Sequence, residues 1–435
     1  MVLRKKIAYP LIEIPHFKRK ALEWAQQYYE VVWLDSNDQR DAYSTFDALL
    51  AVDALTSLVT DTQNAFEDLK TYQANTGDWI FGYLSYDLKN DIELLSSANF
   101  DGLGFSDLYF FQPKKLIYIQ GDTLYFEYLN LVADEIEDDF NTLKNWIPKK
   151  LPSNDTVPHI PIKMRIFKDE YFRQVEKVLA HVQRGDIYEA NFCQEFYATD
   201  QEIDPLTTYQ KLNAISKAPF SCFFKMDERY LLCASPERYL KKKETKLISQ
   251  PIKGTAKRLT NVAADNRIKE HLRHDEKERA ENIMIVDLVR NDLSKSAVKG
   301  SVRVEELCEV YSFEQVHQMI STVTAQVAKT VNPVDVLRET FPMGSMTGAP
   351  KIAAMKIIEN LEATKRGLYS GAVGYFSPKN DFDFNVVIRS ILYNAKAQYI
   401  SFSVGGAITA KAAPEKEYEE CLLKAKAMRQ VLGNG

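Results

Sequence analysis

Cysteine is scarce in this chain: five residues in 435, at positions 193, 222, 233, 308 and 421. They are odd in number, and none falls in a CxxC or zinc-type spacing. That excludes a disulfide framework and leads to the expectation of reduced thiols in a cytoplasmic protein. Long hydrophobic runs are missing too. No stretch approaches the ~20 apolar residues of a transmembrane helix. The basic N-terminus, MVLRKKIAYPLIEIPHFKRK, is interrupted by prolines and by Glu13, so it does not read as a signal peptide. Charge of neither sign dominates, with 55 basic against 60 acidic residues and a net charge of −5. That leaves no electrostatic footprint for nucleic acid or an anionic membrane. Internal repeats and low-complexity tracts are also lacking.

What is present is globular: 45% hydrophobic, 26% charged and 11% aromatic residues, with room for one large or two ordinary domains. The clearest internal boundary is IPKKLPSNDTVPHIPI, with Pro148, Pro152, Pro158 and Pro161, which separates residues 1–150 from 163–435. KKLIYIQGDTLYFEYL reads as a hairpin turning at Gly121 and Asp122, and FSCFFKMDERYLLCASPE as another. Residues 168–184 read as an amphipathic helix with Phe172, Val175, Leu179 and Val182 on one face and Gly185 as its cap. Helices are also expected at 276–290, 350–361 and 414–431. GLYSGAVGYF, DFNVVIRSILYN and YISFSVGGAI read as strands. Short turns between successive strands favour antiparallel sheet and an α+β class.

Several patterns could carry chemistry. KERAEN and EKEYEECLLK each hold a Glu-x-x-Glu motif, Glu278 with Glu281 and Glu417 with Glu420. Residues three apart share a helix face, and Lys424 extends the second stripe. Cys421, Ala425 and Met428 lie beside it and should face the core. Two such helices face to face could hold a hard divalent cation with positions left open for a ligand's oxygens, which suits Mg²⁺; the alternative is a pair of solvated faces. FPMGSMTGAPK offers a loop of small residues with Pro350 at the first helical position, ready for an anion at the helix N-terminus or simply a tight helix entry. It is not a Walker A loop, because Ala-Pro-Lys follows the second glycine. SVGGAIT places Gly405 and Gly406 in or at the end of a strand, as at a close approach of backbone or ligand. Arg389 in FNVVIRSIL is a charge in an apolar strand and needs an anionic partner. Lys253 in SQPIKGTAKR is, by itself, one more solvated lysine.

Taken together, GDIYEANFCQ, ASPERYL, QPIKGTAKR, DEKERAENIMIVDLVRND, STVTAQV, FPMGSMTGAPK, SGAVGYFS and PEKEYEECLLKAK resemble the chorismate-utilising enzymes, in that family's order, from about residue 165 to 432. WLDSN and GYLSYDL extend a weaker likeness into the first 150 residues. The resemblance implies one composite α+β fold of mainly antiparallel sheets with helices outside, so that 1–150 and 163–435 build a single unit. It implies Mg²⁺ held by Glu281 and Glu420, with Glu278 and Glu417 nearby or acting through water. It further implies that Lys424, Tyr375, Arg389 and the N–H groups of a turn at Gly405, Gly406 and Ala407 hold the substrate's other oxygens. Gly254, Thr255 and Thr347 would lie close by.

Within the family, the residues narrow the choice. Isochorismate and salicylate synthases resemble one another in a water-activating lysine where this chain has Glu189. Anthranilate synthases have a small residue where this chain has Lys253. A lysine there resembles the aminodeoxychorismate synthases. The likeness implies amination of chorismate for p-aminobenzoate and folate synthesis, with Lys253 attacking C2 and Glu237 of SPER as the acid that releases the C4 hydroxyl. The alternatives are an anthranilate synthase component I and a non-catalytic paralogue that binds chorismate or tryptophan. Gln318 stands where the family often has a histidine, with His317 one residue earlier, and Ala407 replaces a third glycine. No nucleophile-elbow cysteine with a histidine-glutamate pair follows, so ammonia is expected from a separate glutaminase subunit or from solution. No fused lyase is expected after Gly435. LDS and PFS resemble the lining of a tryptophan pocket and mark Ser36, Pro219, Phe220 and Ser221.

Overall fold

The computed structural model describes residues 3–14, 16–39, 41–149 and 159–433. Most of the proline-rich stretch, 150–158, therefore lies outside the described residues. Twenty strands join in one hydrogen-bonded network, and every ladder between them is antiparallel. This is the α+β architecture that the short turns implied. The hairpin of Leu108–Gln120 with Thr123–Leu129 turns at Gly121, whose φ of 63° is left-handed and natural for glycine.

Strands from the two ends of the chain interleave. Glu30–Asp35 pairs with Phe220–Met226 in the register Trp33↔Phe223. Ile80–Leu84 pairs with Ala372–Phe376, placing Gly82 opposite Gly374. Two large apolar cores fill the space around the sheet. One packs Trp24, Phe126, Phe192 and Met428 beneath the helices. The other holds Phe81, Phe110, Phe224 and Phe384. No described helix is long and apolar enough to cross a membrane.

The helix Lys168–Arg184 ends where expected, at Gly185 with φ 81°. Its buried stripe is Tyr171, Val175 and Val178, turned slightly from the expected face. The helix docks on Pro414–Val431, and the Tyr171 hydroxyl reaches Cys421 Sγ at 3.4 Å. The helix expected at 276–290 runs further, Glu276–Ser296, and starts at Asp275, whose side chain accepts the Glu278 N–H.

Gly82 and Gly374 face each other where the first and last parts of the chain pair, and each is crowded by its other neighbouring strand. A Cβ on Gly82 would overlap the Tyr109 carbonyl oxygen, and one on Gly374 the Asp383 carbonyl oxygen. Overpacking of this kind costs roughly 3 kcal/mol. Gly82→Val should therefore lower the melting temperature by several degrees; a melt matching the parent's would show that this junction has slack.

Candidate functional site

The strand carrying the lysine, Ile252–Lys257, pairs with Val316–Gln326 and slips register between Ile252 and Thr255, which faces Gln318. The slip falls on Lys253 and Gly254. Gly254 has φ +88°, and a Cβ there would stand 3.2 Å from the Glu278 carboxylate, so the backbone is pressed against the first carboxylate helix. Lys253 is half-buried. Among the described residues its ammonium has no hydrogen-bond or ion-pair partner, yet its charge acts on Glu189, Glu237 and Glu420.

Glu237 lies between the strands Arg229–Ser235 and Arg238–Lys243 and is buried. Desolvation pushes its pKa up to about 7, against the pull of the nearby Ser345 hydroxyl and of Lys253. Near neutral pH it can therefore both hold and release a proton, as a general acid must. Glu189 opens the strand Glu189–Ala198, and its Oε2 is buried without a partner. Burial raises its pKa, Lys253 lowers it and Glu281 raises it further.

The two Glu-x-x-Glu helices, Glu276–Ser296 and Pro414–Val431, do come together. Lys277 places its ammonium 3.8 Å from Glu281 and 3.7 Å from Glu417, bridging them. Burial first, then the neighbouring carboxylates, raise the pKa of Glu278 and Glu417. Glu420 is held below its ordinary value, because Lys424, 2.6 Å away, together with Lys253 and Lys277 outweighs burial. Among the described residues no three His, Cys, Asp or Glu side chains form a metal cluster. Two other observations accommodate a cation that keeps waters and accepts ligand oxygens: Glu281 Oε1 is buried with no hydrogen-bond partner, and a positive charge, the Lys277 ammonium, already stands between Glu281 and Glu417. The donor set suits Mg²⁺.

Gly405, Gly406 and Ala407 belong to a continuous strand, Tyr399–Thr409, as the pattern YISFSVGGAI suggests, and not to the turn that the family resemblance implied. They face Cys193, Phe192 and Asn191 in register. None of the three has a positive φ, so alanine at 407 costs nothing there. Gly405 is needed for space, since a Cβ would overlap Cys193 Sγ, and one on Gly406 would stand 3.3 Å from Glu417 Oε2. The neighbouring strand Ser390–Asn394 covers only 399–401, which leaves the other edge of the glycine segment without a strand. Lys424 donates to the Gly405 carbonyl at 2.8 Å, joining the glycine strand to Glu420.

Arg389 is not inside a strand either. It sits at a break between Phe382–Val386 and Ser390–Asn394 with φ 53°, where the chain leaves one ladder for another. Its guanidinium has no hydrogen-bond or ion-pair partner among the described residues, and feels Tyr369 and Glu420. Tyr375, by contrast, is packed among Phe46, Trp79 and Phe81, with Asp383 and Arg238 as its charged neighbours. The structure does not bring it to Lys253 or the carboxylates. Tyr369, which the sequence reading passed over, is the tyrosine near Arg389. The two stand six residues apart in LYSGAVGYF, on either side of a strand start, and spacing alone does not separate them. Thr347 is fully buried, its hydroxyl bonded to the Met343 and Gly344 carbonyls. Lys351 turns to Asp292 and to the Thr340 and Pro342 carbonyls, away from any ligand. Ser312, His317 and Asp265 form a separate chain of hydrogen bonds.

The segments suggested for a tryptophan pocket are adjacent, with Asp35 opposite Ser221. Ser36 Oγ donates to the Asp47 carbonyl and Ser221 Oγ to the Cys233 carbonyl. Arg238 lies over the Phe220 ring, next after Pro219, with its guanidinium 4.8 Å from the ring centre.

Because Glu237 is bound as an acid more tightly in the folded than in the unfolded chain, it favours folding below its unfolded pKa and costs stability as pH rises through 7. Removing that cost is worth up to roughly 3 kcal/mol above pH 7. Glu237→Gln should melt higher than the parent at pH 8, with the difference shrinking toward pH 4.5. An equal melting temperature at both pH values would contradict the buried, proton-holding carboxyl.

A family model for chorismate binding enzymes matches residues 25–430. A probable chloroplastic aminodeoxychorismate synthase of Oryza sativa subsp. japonica is 42% identical over 269 residues, which is 61% of this chain and 30% of the rice protein. The chain thus spans under a third of that relative's length. An aminodeoxychorismate synthase component 1 of Bacillus subtilis is 31% identical over 385 residues, covering 86% of this chain and 80% of the relative. Among solved structures, anthranilate synthase component I from Streptococcus pneumoniae superposes with a TM-score of 0.76 at 24% identity, over 90% of this chain and 93% of that one. The chain belongs to the chorismate binding enzymes.

Proposed function

We propose that this protein is the chorismate-aminating component of an aminodeoxychorismate synthase, making 4-amino-4-deoxychorismate from chorismate and ammonia for p-aminobenzoate and folate synthesis. The observation that carries the reading is Lys253: a half-buried lysine with no partner among the described residues, within electrostatic reach of Glu237, whose carboxyl pKa is pushed up to about 7, and of Glu189, whose Oε2 is buried without a partner. An ammonium cannot attack, so Lys253 first gives up a proton, and Glu189 is placed to take it. The neutral amine then bonds to C2 of chorismate. The C4–O bond breaks as Glu237 protonates the leaving hydroxyl, and water departs. Ammonia bonds to C4, the C2–nitrogen bond breaks, and the proton lost by the incoming nitrogen restores Glu237. Two allylic shifts through one adduct thus replace a direct displacement at C4.

Arg389, whose guanidinium is unpaired, would take one substrate carboxylate by a bidentate grip. Glu281 and Glu420, with Glu278 and Glu417 behind them, would hold Mg²⁺. When bound, the ion would neutralise the second carboxylate. Lys277 and Lys424 would then release or share their glutamates. Ammonia would come from a glutaminase partner, consistent with the "component 1" relatives. A tryptophan site at Ser36, Pro219, Phe220 and Ser221 would lie apart from this chemistry.

Protein, chorismate, Mg²⁺ and ammonium should yield 4-amino-4-deoxychorismate by mass, with pyruvate retained. Anthranilate with free pyruvate would move the chain to the anthranilate synthases, and no product at all would favour a binding paralogue. For the metal, Glu281→Gln and Glu420→Gln should each lower turnover at least about 100-fold while leaving the melt near the parent's, since each removes one charged ligand and keeps its shape. EDTA should stop the parent. Full turnover in either variant, or indifference to EDTA, would remove the metal assignment.

A further inference from the structure

Beneath the site lies a buried ion pair that touches no substrate. Arg366 and Glu362 follow the helix Lys351–Leu361 and are 5% and 7% exposed. Arg366 donates from Nε to Glu362 Oε2 at 2.9 Å and from Nη2 to Oε1 at 2.6 Å. It also donates to backbone, from Nη1 to the Met346 carbonyl and from Nη2 to the Asn191 carbonyl, each at 2.6 Å, and at 3.5 Å from Nη1 to Ser370 Oγ. Glu362 Oε1 also accepts the Cys193 N–H at 2.8 Å. The Asn191 N–H in turn bonds the Thr347 carbonyl at 2.7 Å. Tyr86 closes the assembly, with its ring 4.5 Å from the guanidinium carbon.

Asn191 and Cys193 are the residues opposite Ala407 and Gly405. One ion pair therefore fixes the loop that ends at Thr347 and the strand that backs the glycine segment. Burying two charges is expensive, and a well-packed apolar pair of similar volume is often as stable or more so. Stability alone therefore does not explain the pair, whereas a planar fork of five donors is what holding two carbonyls and a carboxylate at fixed spacing requires.

We propose that Arg366 and Glu362 are positioning residues that set the distance between the 344–347 loop and the strand Tyr399–Thr409, and through it the grip on chorismate. The inference rests on the chorismate-aminating reading for its effect on catalysis, but not for its effect on the backbone.

The test compares the parent with Arg366→Lys, which keeps the charge and loses the fork, and with the double variant Arg366→Met/Glu362→Leu, which removes both charges together. Melting temperature, amide hydrogen exchange, and chorismate KM and kcat are measured for each. The double variant should melt within a few degrees of the parent. Its peptides covering 343–350 and 403–409 should exchange about tenfold faster, while those covering 372–376 stay unchanged. KM for chorismate should rise about tenfold or more, with kcat moving less, as expected for lost substrate positioning. Arg366→Lys should fall between the two. Parent-like exchange and KM in a folded double variant would overturn the proposal, as would loss of the fold in both variants, which would assign the pair to stability. Should the parent fail to aminate chorismate, the functional reading falls by itself, and the exchange of 343–350 and 403–409 still decides the clamp.

Discussion

Everything at this site depends on how much negative charge the protein confines in one place. Glu189, Glu278, Glu281, Glu417 and Glu420 are linked by electrostatic effects, with Glu237 joined to them only through Lys253, and Lys253, Lys277, Lys424 and Arg389 act against that charge. Carboxylates that share a poorly solvated space cannot all ionise freely. The protein divides them. Glu420 keeps its charge beside Lys424. Glu278 and Glu417 are pushed toward protonation by burial and by Glu281 and Glu420. Glu237 stands apart from the cluster, with desolvation as its main influence, and is poised to hold or release a proton near pH 7. The separate roles proposed for acid, base and cation ligands rest on these different surroundings.

The fold supplies the rigidity that such crowding needs. Antiparallel ladders run from the first strands of the chain to the last, and the pairing of Ile80–Leu84 with Ala372–Phe376 ties them together. Lys253 rides on a register slip in one of these ladders, Arg389 on a break between two others, and the carboxylates on two helices laid against the sheet. Each functional group stands where regular structure is interrupted or ends, while its support is regular. The Arg366–Glu362 pair extends that logic one layer down, holding two backbone segments by their carbonyls.

Much of this was legible in the sequence. Helix positions follow from 3.6-residue periodicity and caps, and the pairing of the two Glu-x-x-Glu faces from their spacing with Lys424. The lysine of PIKGT stood out only through the family resemblance, because a lone lysine carries no periodic signal. What was not legible depended on tertiary neighbours. The glycine segment reads as a strand from its own pattern, and the turn implied by the resemblance is absent because the long ladder with Glu189–Ala198 keeps it extended. Arg389 reads as a strand residue because apolar residues flank it, but the chain switches ladders there. Tyr369 lies in the turn before the strand Ala372–Phe376 and Tyr375 lies within it, a difference the local sequence does not show. The Arg366–Glu362 pair is an ordinary i, i+4 ion pair by sequence, and only burial shows its reach into the loop and the strand.

The central claim is that Lys253 forms a bond to the substrate. It is tested most directly with a chorismate analogue whose adduct decays slowly, followed by peptide mapping of the labelled protein. A single label on the peptide containing Lys253, absent from Lys253→Ala and not restored by Lys253→Arg, is the result this account predicts. A label on any other residue, or an alanine variant that turns over chorismate at the parent's rate, would contradict it.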